Sequence, residues 1–161
     1  MILFTSNVFI GVLKSPFCAA ILGWFIANLL KPVSYKIKTG KWEPRRIVAS
    51  GGFPSSHSCM VVSLIIAIAL KGDWSSNEVA IAATFGFIVM YDAFNVRLHS
   101  GRNNATTKSL IKDLSSKGLI DGTKPEYNVE LKDVLGHKLH EVVAGGVLGI
   151  IIGSVFYLVT K

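Results

Sequence analysis

Residues 136–160 read GHKLHEVVAGGVLGIIIGSVFYLVT. From Val142 to Thr160 there is no Asp, Glu, Lys or Arg. A charge-free run approaching the roughly 20 residues that a bilayer's hydrocarbon core requires reads as a membrane helix. Immediately before it stand His137, Lys138, His140 and Glu141, so the polar chemistry sits at one end of the helix. Gly145, Gly149 and Gly153 recur at every fourth residue, a stripe that lets a second helix backbone approach closely.

Working outward, the stretches 17–30, 58–70 and 79–91 also lack all four charged residue types. Mean hydropathy is +0.48 and the formal net charge is +7, so the charge is segregated rather than sparse. Apolar runs joined by basic connections describe a polytopic membrane protein. Two of the runs fall short of a full span, which keeps a compact soluble helical bundle as the competing architecture. The fold expected is all-α: a polytopic membrane helical bundle with about four spanning helices, near 17–30, 57–70, 78–96 and 133–159. A short N-terminal helix and an amphipathic surface helix complete it.

Local signals place the boundaries. Leu3–Leu13 is apolar without a basic flank, which suits a short interfacial helix better than a cleavable signal. Pro16 fits a first helical turn. Lys31–Ser56 contains Pro32, Gly40, Pro44, Gly51, Gly52 and Pro54, and is read as an irregular polar connection. Ser55, Ser56 and Ser76 or Asn77 are placed to cap helices. Thr107, Leu110, Ile111 and Leu114 recur at helical spacing, predicting an amphipathic helix over Asn104–Lys117 on the membrane surface. Lys117–Lys132 has mixed charge with Gly122 and Pro125 and reads as the most mobile stretch. Cys18 and Cys59 lie in apolar sequence, as small hydrophobes do.

The connections 31–56 and 97–138 hold fourteen of the seventeen Lys and Arg residues. With four spans both connections fall on one side, and the positive-inside rule makes that side cytoplasmic. Basic residues that bind substrate add to the same bias. The protein is therefore expected in the cell membrane, with its polar site toward the cytoplasm.

Three clusters on the basic side carry chemistry. Lys38 with Arg45 and Arg46 suits a phosphate, one as a point charge and the others as planar forks, although such a loop also serves as a topology signal. Gly51-Gly52-Phe53-Pro54-Ser55-Ser56-His57-Ser58 combines glycines, hydroxyls and a helix N-terminus, the parts of an anion cradle. His57 at its edge can donate a proton to a leaving alkoxide. In the third cluster, His137 and Glu141 are i and i+4, placed on one helix face, so that the carboxylate fixes the tautomer of a nucleophilic imidazole. Zinc held by His57, His137, His140, Glu141 and Asp92 is the competing chemistry, but no metal-ligand motif supports it.

Taken in order, the clusters resemble the signature of the type 2 phosphatidic acid phosphatase superfamily, which includes the vanadium haloperoxidases. The chain looks most like its divergent, haloperoxidase-related membrane branch, over about Asn28–Gly153. Lys38-x6-Arg45 matches the first motif, K-x6-R-P, with Arg46 at the proline. Pro54-Ser55-Ser56-His57 matches P-S-G-H except at the glycine. His137-x3-Glu141 follows the third motif, S-R-x5-H-x3-D, with glutamate for aspartate and Leu131 where arginine belongs. Arg97, beyond Tyr91-Asp92-Ala93-Phe94-Asn95-Val96, is a candidate to replace that arginine from another element. The resemblance implies a single membrane-embedded, phosphatase-like domain over 1–161. It implies catalysis by His137, His57 and Glu141, with phosphate held by Lys38, Arg45, Ser55, Ser56 and Arg97, and neither metal nor cofactor. Expected partners are membrane lipids and a lipid phosphate substrate, with self-association open and no nucleic acid. Two alternatives stand beside the hydrolase: a degenerate member that binds anionic headgroups without turnover, and a membrane scaffold or transport subunit using Asp92 and Asn95.

Overall fold

The computed structural model describes residues 11–49, 51–124, 127 and 136–161. Helix α1 spans Pro16–Thr39, a 3₁₀ turn spans Pro44–Val48, and α2 spans Ser56–Lys71. Helix α3 spans Asn77–Tyr91 and runs through a π turn, Asp92–Val96, into α4, Arg97–Ser116. Helix α5 spans Leu139–Thr160. Among the described residues there is no strand.

Capping chemistry accounts for most of the boundaries. Pro16 occupies the first turn of α1, and Gly40, at φ +74°, closes it with its N–H on the Lys36 carbonyl at 2.8 Å. The Ser55 hydroxyl accepts the Ser58 amide, and the Ser76 hydroxyl accepts the Val79 amide at 3.3 Å. Gly72 terminates α2.

Three boundaries depart from expectation. Helix α1 does not stop near Leu30 but continues to Thr39 through the fully buried Pro32. Pro32 cannot bond the Asn28 carbonyl, yet an interior proline persists where packing supplies the lost contacts. The helix expected over Asn104–Lys117 is present, but it begins at Arg97 and is continuous with α3, forming one 40-residue helical run. Helix α5 begins at Leu139, so Gly136-His137-Lys138 precede it rather than form its first turn. The N-terminal helix expected over Leu3–Leu13 lies largely outside the described residues, as does the stretch expected to be mobile, Lys117–Lys132, beyond Lys124 apart from Tyr127.

Pro16–Thr39, Asn77–Ser116 and Leu139–Thr160 are long and apolar enough to cross a membrane, while the apolar α2 has only 16 residues. Helix α2 is the centre, packed against α1, α3 and α5. Small residues make that possible. A Cβ on Gly149 would lie 2.7 Å from the Cys59 carbonyl oxygen, and one on Gly153 would lie 2.8 Å from that of Ser63. The Ser63 hydroxyl donates to the Gly149 carbonyl at 3.2 Å. From the opposite side, a Cβ on Gly23 of α1 would reach 3.2 Å from the same Cys59 oxygen. The outer faces are apolar and open: Phe85 and Phe87 of α3 are 65% and 66% exposed, and Val147, Ile151 and Val155 of α5 are each about half exposed. Such faces suit lipid and are wrong for a soluble bundle.

Four segments meet at one end: the last turns of α1, the start of α2, the π turn and the start of α5. The Ser34 hydroxyl donates to the Phe53 carbonyl, the Ser55 amide to the Glu141 carbonyl at 2.9 Å, and the His137 amide to the Ala93 carbonyl at 2.8 Å. At the other end the Lys71 ammonium donates to the Lys14 carbonyl.

Candidate functional site

His137 is held in place by its backbone first. Gly136 has φ +82°, and a Cβ there would lie 2.5 Å from the Leu98 nitrogen and 2.9 Å from the Ala93 carbonyl oxygen, so only glycine lets the chain press against the junction of the π turn with α4. The π turn carries the Ala93 carbonyl that receives the His137 amide. Insertion of a π turn within a long helix is a frequent device at functional sites.

Glu141 then orients the ring. Its Oε2 lies 3.1 Å from His137 Nδ1 and also accepts the Lys138 amide at 3.1 Å, in the manner of a residue closing a helix N-terminus. The pairing expected from i,i+4 spacing is therefore present, but its cause differs. The two residues do not share a helix face, because His137 lies before α5 and the carboxylate reaches back to it. With Nδ1 as donor to the carboxylate, the other nitrogen is left with a lone pair. That Nε2 is buried and, among the described residues, makes no hydrogen bond. The residue as a whole is only 2% exposed.

His57 stands in the first turn of α2, its ring 6.4 Å from that of His137 at an interplanar angle of 67°. Ser55, fully buried, spends its hydroxyl on the cap, accepting also from the Ser58 hydroxyl at 3.0 Å. The amides of Ser56 and His57 stand in the first helical turn, where the helix itself offers no acceptor. The two histidines named from sequence are thus brought together, and Glu141 with them.

The cations divide differently from expectation. Lys38, on the last turn of α1, lines a cavity of about 490 Å³ together with Lys31, Arg46, Phe53, His140 and Glu141. Arg45 is exposed on the 3₁₀ turn and does not line that cavity. Arg46 does, stacked 3.9 Å over the Tyr35 ring and paired to Glu43 at 3.1 Å. The Arg46 hydrogen bond holds the Glu43 carboxyl below its usual range. Arg97 is half exposed, with Nε 2.5 Å from Asp92 Oδ2, though its charge still acts on His57. Leu131 and Lys132 lie outside the described residues.

Sequence reading missed Lys31, which it assigned to a polar loop. The residue is buried, and its ammonium donates to the Ala49 carbonyl at 2.8 Å and to the Ser56 hydroxyl at 3.3 Å. The available signal was its position directly after the apolar run ending in Leu29-Leu30, and Pro32 beside it masked that signal by reading as a helix end. His140 stacks on Phe53, 6.4 Å between ring centres, and lines the cavity. Among the described residues, no three His, Cys, Asp or Glu side chains converge as ligands of one metal ion.

This architecture defines a helical membrane protein with a histidine–carboxylate pair, a second histidine and several cations gathered at one end of the bundle. The chain belongs to the Divergent PAP2 family, whose model matches residues 12–152. It is similar to the uncharacterized membrane protein YuiD of Bacillus subtilis (strain 168), 30% identical over 142 residues, covering 85% of this chain and 90% of that protein. No solved structure matches.

Proposed function

We propose that this protein is a metal-independent phosphomonoesterase of the cell membrane, acting on a lipid phosphate at its cytoplasmic face. The observation that carries the reading is the Nε2 of His137, without a hydrogen-bond partner among the described residues and buried beside His57 while Glu141 engages Nδ1. In the reaction, the Nε2 lone pair attacks phosphorus as the P–O bond to the lipid alcohol breaks. His57, entering protonated, gives its proton to the departing oxygen, and Glu141 stabilises the N-phosphorylated imidazolium. Water then attacks the phosphohistidine, its proton passing to His57, which restores both histidines and releases phosphate. Lys38, Arg45, Ser55, Ser56 and Arg97 are the groups the family resemblance assigns to the phosphate oxygens. Stabilisation of those oxygens is where such catalysis gains most.

A lipid substrate is supported by the surroundings. The cavity beside Glu141 shares Ser34, Ile37 and Phe53 with an apolar groove of about 260 Å³ between α1 and α5, walled also by Leu30, Ala144 and Leu148. A charged headgroup at one end and an acyl or prenyl chain at the other would match that change in polarity.

The test is phosphate release from phosphatidate, phosphatidylglycerol phosphate and prenyl phosphate in detergent, with chelator present. His137→Ala should lower turnover by roughly 10³-fold or more, and acid-labile phosphate should be trapped only on protein that retains His137. Full turnover in that variant, or absolute dependence on added zinc or magnesium, would sink the mechanism. A second reading, headgroup binding without turnover, is favoured by the exposure of Arg45 and the Asp92 partner of Arg97. It predicts lipid phosphate binding with no release of phosphate from any member of the panel.

A further inference from the structure

Lys31 is 3% exposed, midway between the apolar body of α1 and its polar end. A buried ammonium is costly unless it is paired. Among the described residues, no carboxylate is in ion-pair contact with it. Glu141 is the acid whose charge it feels, but that carboxylate is already engaged by His137 and the Lys138 amide. The two acceptors of Lys31, a carbonyl and a hydroxyl, are neutral. An ammonium has three N–H donors, and these contacts use two.

The position of the charge gives it meaning. Ser56, which Lys31 holds, is the residue before His57 and opens α2. Lys31 also lines the cavity with Lys38, Arg46 and Glu141, and its charge is among those acting on His57. A loop could be clamped by a neutral donor at lower desolvation cost. A cation in this place has a charge and a third N–H to offer an anion that enters the cavity.

We infer that Lys31 is a phosphate-binding residue, supplying from α1 the positive charge that Leu131 cannot. The inference rests on the phosphate-site reading above and extends it to a residue outside all three motifs. The third N–H of the ammonium bonds a phosphate oxygen seated between Ser56, His57 and the cavity, and the other two hold Ala49 and Ser56 against α1.

The experiment measures orthovanadate binding to the purified full-length protein in detergent, for the wild type and for Lys31→Met, Lys31→Arg and Lys36→Met. Lys31→Met keeps the apolar stem and removes the charge, and should weaken binding at least tenfold. Lys36→Met, an exposed lysine on the same helix, should bind within twofold of wild type. Lys31→Arg should recover a substantial part of the loss. Should Lys31→Met fail to fold, protein labelled with ¹³C at the lysine ε-carbon, with Lys31 assigned by Lys31→Arg, reads the contact directly. Saturating vanadate should then shift the Lys31 resonance. Unweakened binding by a folded Lys31→Met, or an unmoved resonance, would overturn the role of Lys31 alone. Absence of vanadate binding by the wild type would overturn the phosphate site and Lys31 with it.

Discussion

A carboxylate lies 3.1 Å from one ring nitrogen of His137 and, among the described residues, no hydrogen-bond partner meets the other, the asymmetry on which the proposed roles rest. In the proposed chemistry the nitrogen held by Glu141 is the donor and Nε2 is the nucleophile. Among the described residues, no carboxylate is in hydrogen-bond contact with His57. It stands in the first turn of α2, its ring 6.4 Å from that of His137. A histidine so placed fits proton transfer better than nucleophilic attack, and the proposed chemistry then depends on the leaving group. On alkyl phosphates, whose departing oxygen needs a proton, His57→Ala should cost about 10²–10⁴-fold in turnover. On aryl phosphates, which leave as stable anions, the same substitution should cost less than about tenfold. Steady-state rates on a pair such as an alkyl and a nitrophenyl phosphate decide the matter. Equal losses on both would remove His57 as the acid.

The helices act through the closeness of α2 and α5, which presses the starts of both together and so sets the distance between the histidines. Gly149 has no room: a Cβ would already lie 2.7 Å from the Cys59 oxygen and 2.8 Å from the Val62 Cβ. Gly149→Val should therefore destabilise the protein by about 1–3 kcal/mol through overpacking and depress turnover by separating the two helices. Gly146 is its internal control, since a Cβ there meets only the Val62 Cγ2, at 3.9 Å. Gly146→Ala should be neutral or raise stability by up to about 1 kcal/mol. Thermal unfolding in detergent measures both, and equal effects would mean that the stripe is not a packing seam. The stripe was legible in the sequence because spacing alone places glycines on one face. The length of α1 was not. Lys31, Pro32 and the polar residues after them resemble a loop, and only the tertiary partners of Lys31, on Ala49 and Ser56, make its burial tolerable. The continuity of α3 and α4 was obscured in the same way. A change from apolar to basic at Arg97 mimics a helix end, although no glycine or proline stands between Gly86 and Gly101 to make one. His137 and Glu141 were correctly joined for an incomplete reason, because period cannot tell a helix interior from a residue its first turn reaches back to hold.

At the scale of the whole molecule, charge separates the two ends. The site end gathers Lys38, Arg45, Arg46, Arg97 and the α4 helix, whereas Lys14, Lys71 and Lys161 are the basic residues assigned to the other. The lysine contact between Lys71 and the Lys14 carbonyl ties the start of α1 to the finish of α2, so these two helices run antiparallel. The run Asn77–Ser116, at 1.5 Å per residue, is about 60 Å of helix and exceeds a hydrocarbon core of about 30 Å. Its polar half, α4, must therefore extend beyond the apolar layer on the side of the site. A basic helix beyond the membrane, next to a basic connection, is what the positive-inside rule assigns to the cytoplasm. Single cysteines test this, after Cys18 and Cys59 are replaced by alanine. Lys41→Cys and Lys117→Cys should react with a membrane-impermeant maleimide only after the cells are opened, whereas Ser75→Cys should react in intact cells. The reverse pattern would place the histidines outside and make an external lipid phosphate the substrate. Labelling of all three positions in intact cells would mean that the Ser75 turn and the site end do not lie on opposite sides of a membrane, leaving the short α2 as something other than a crossing.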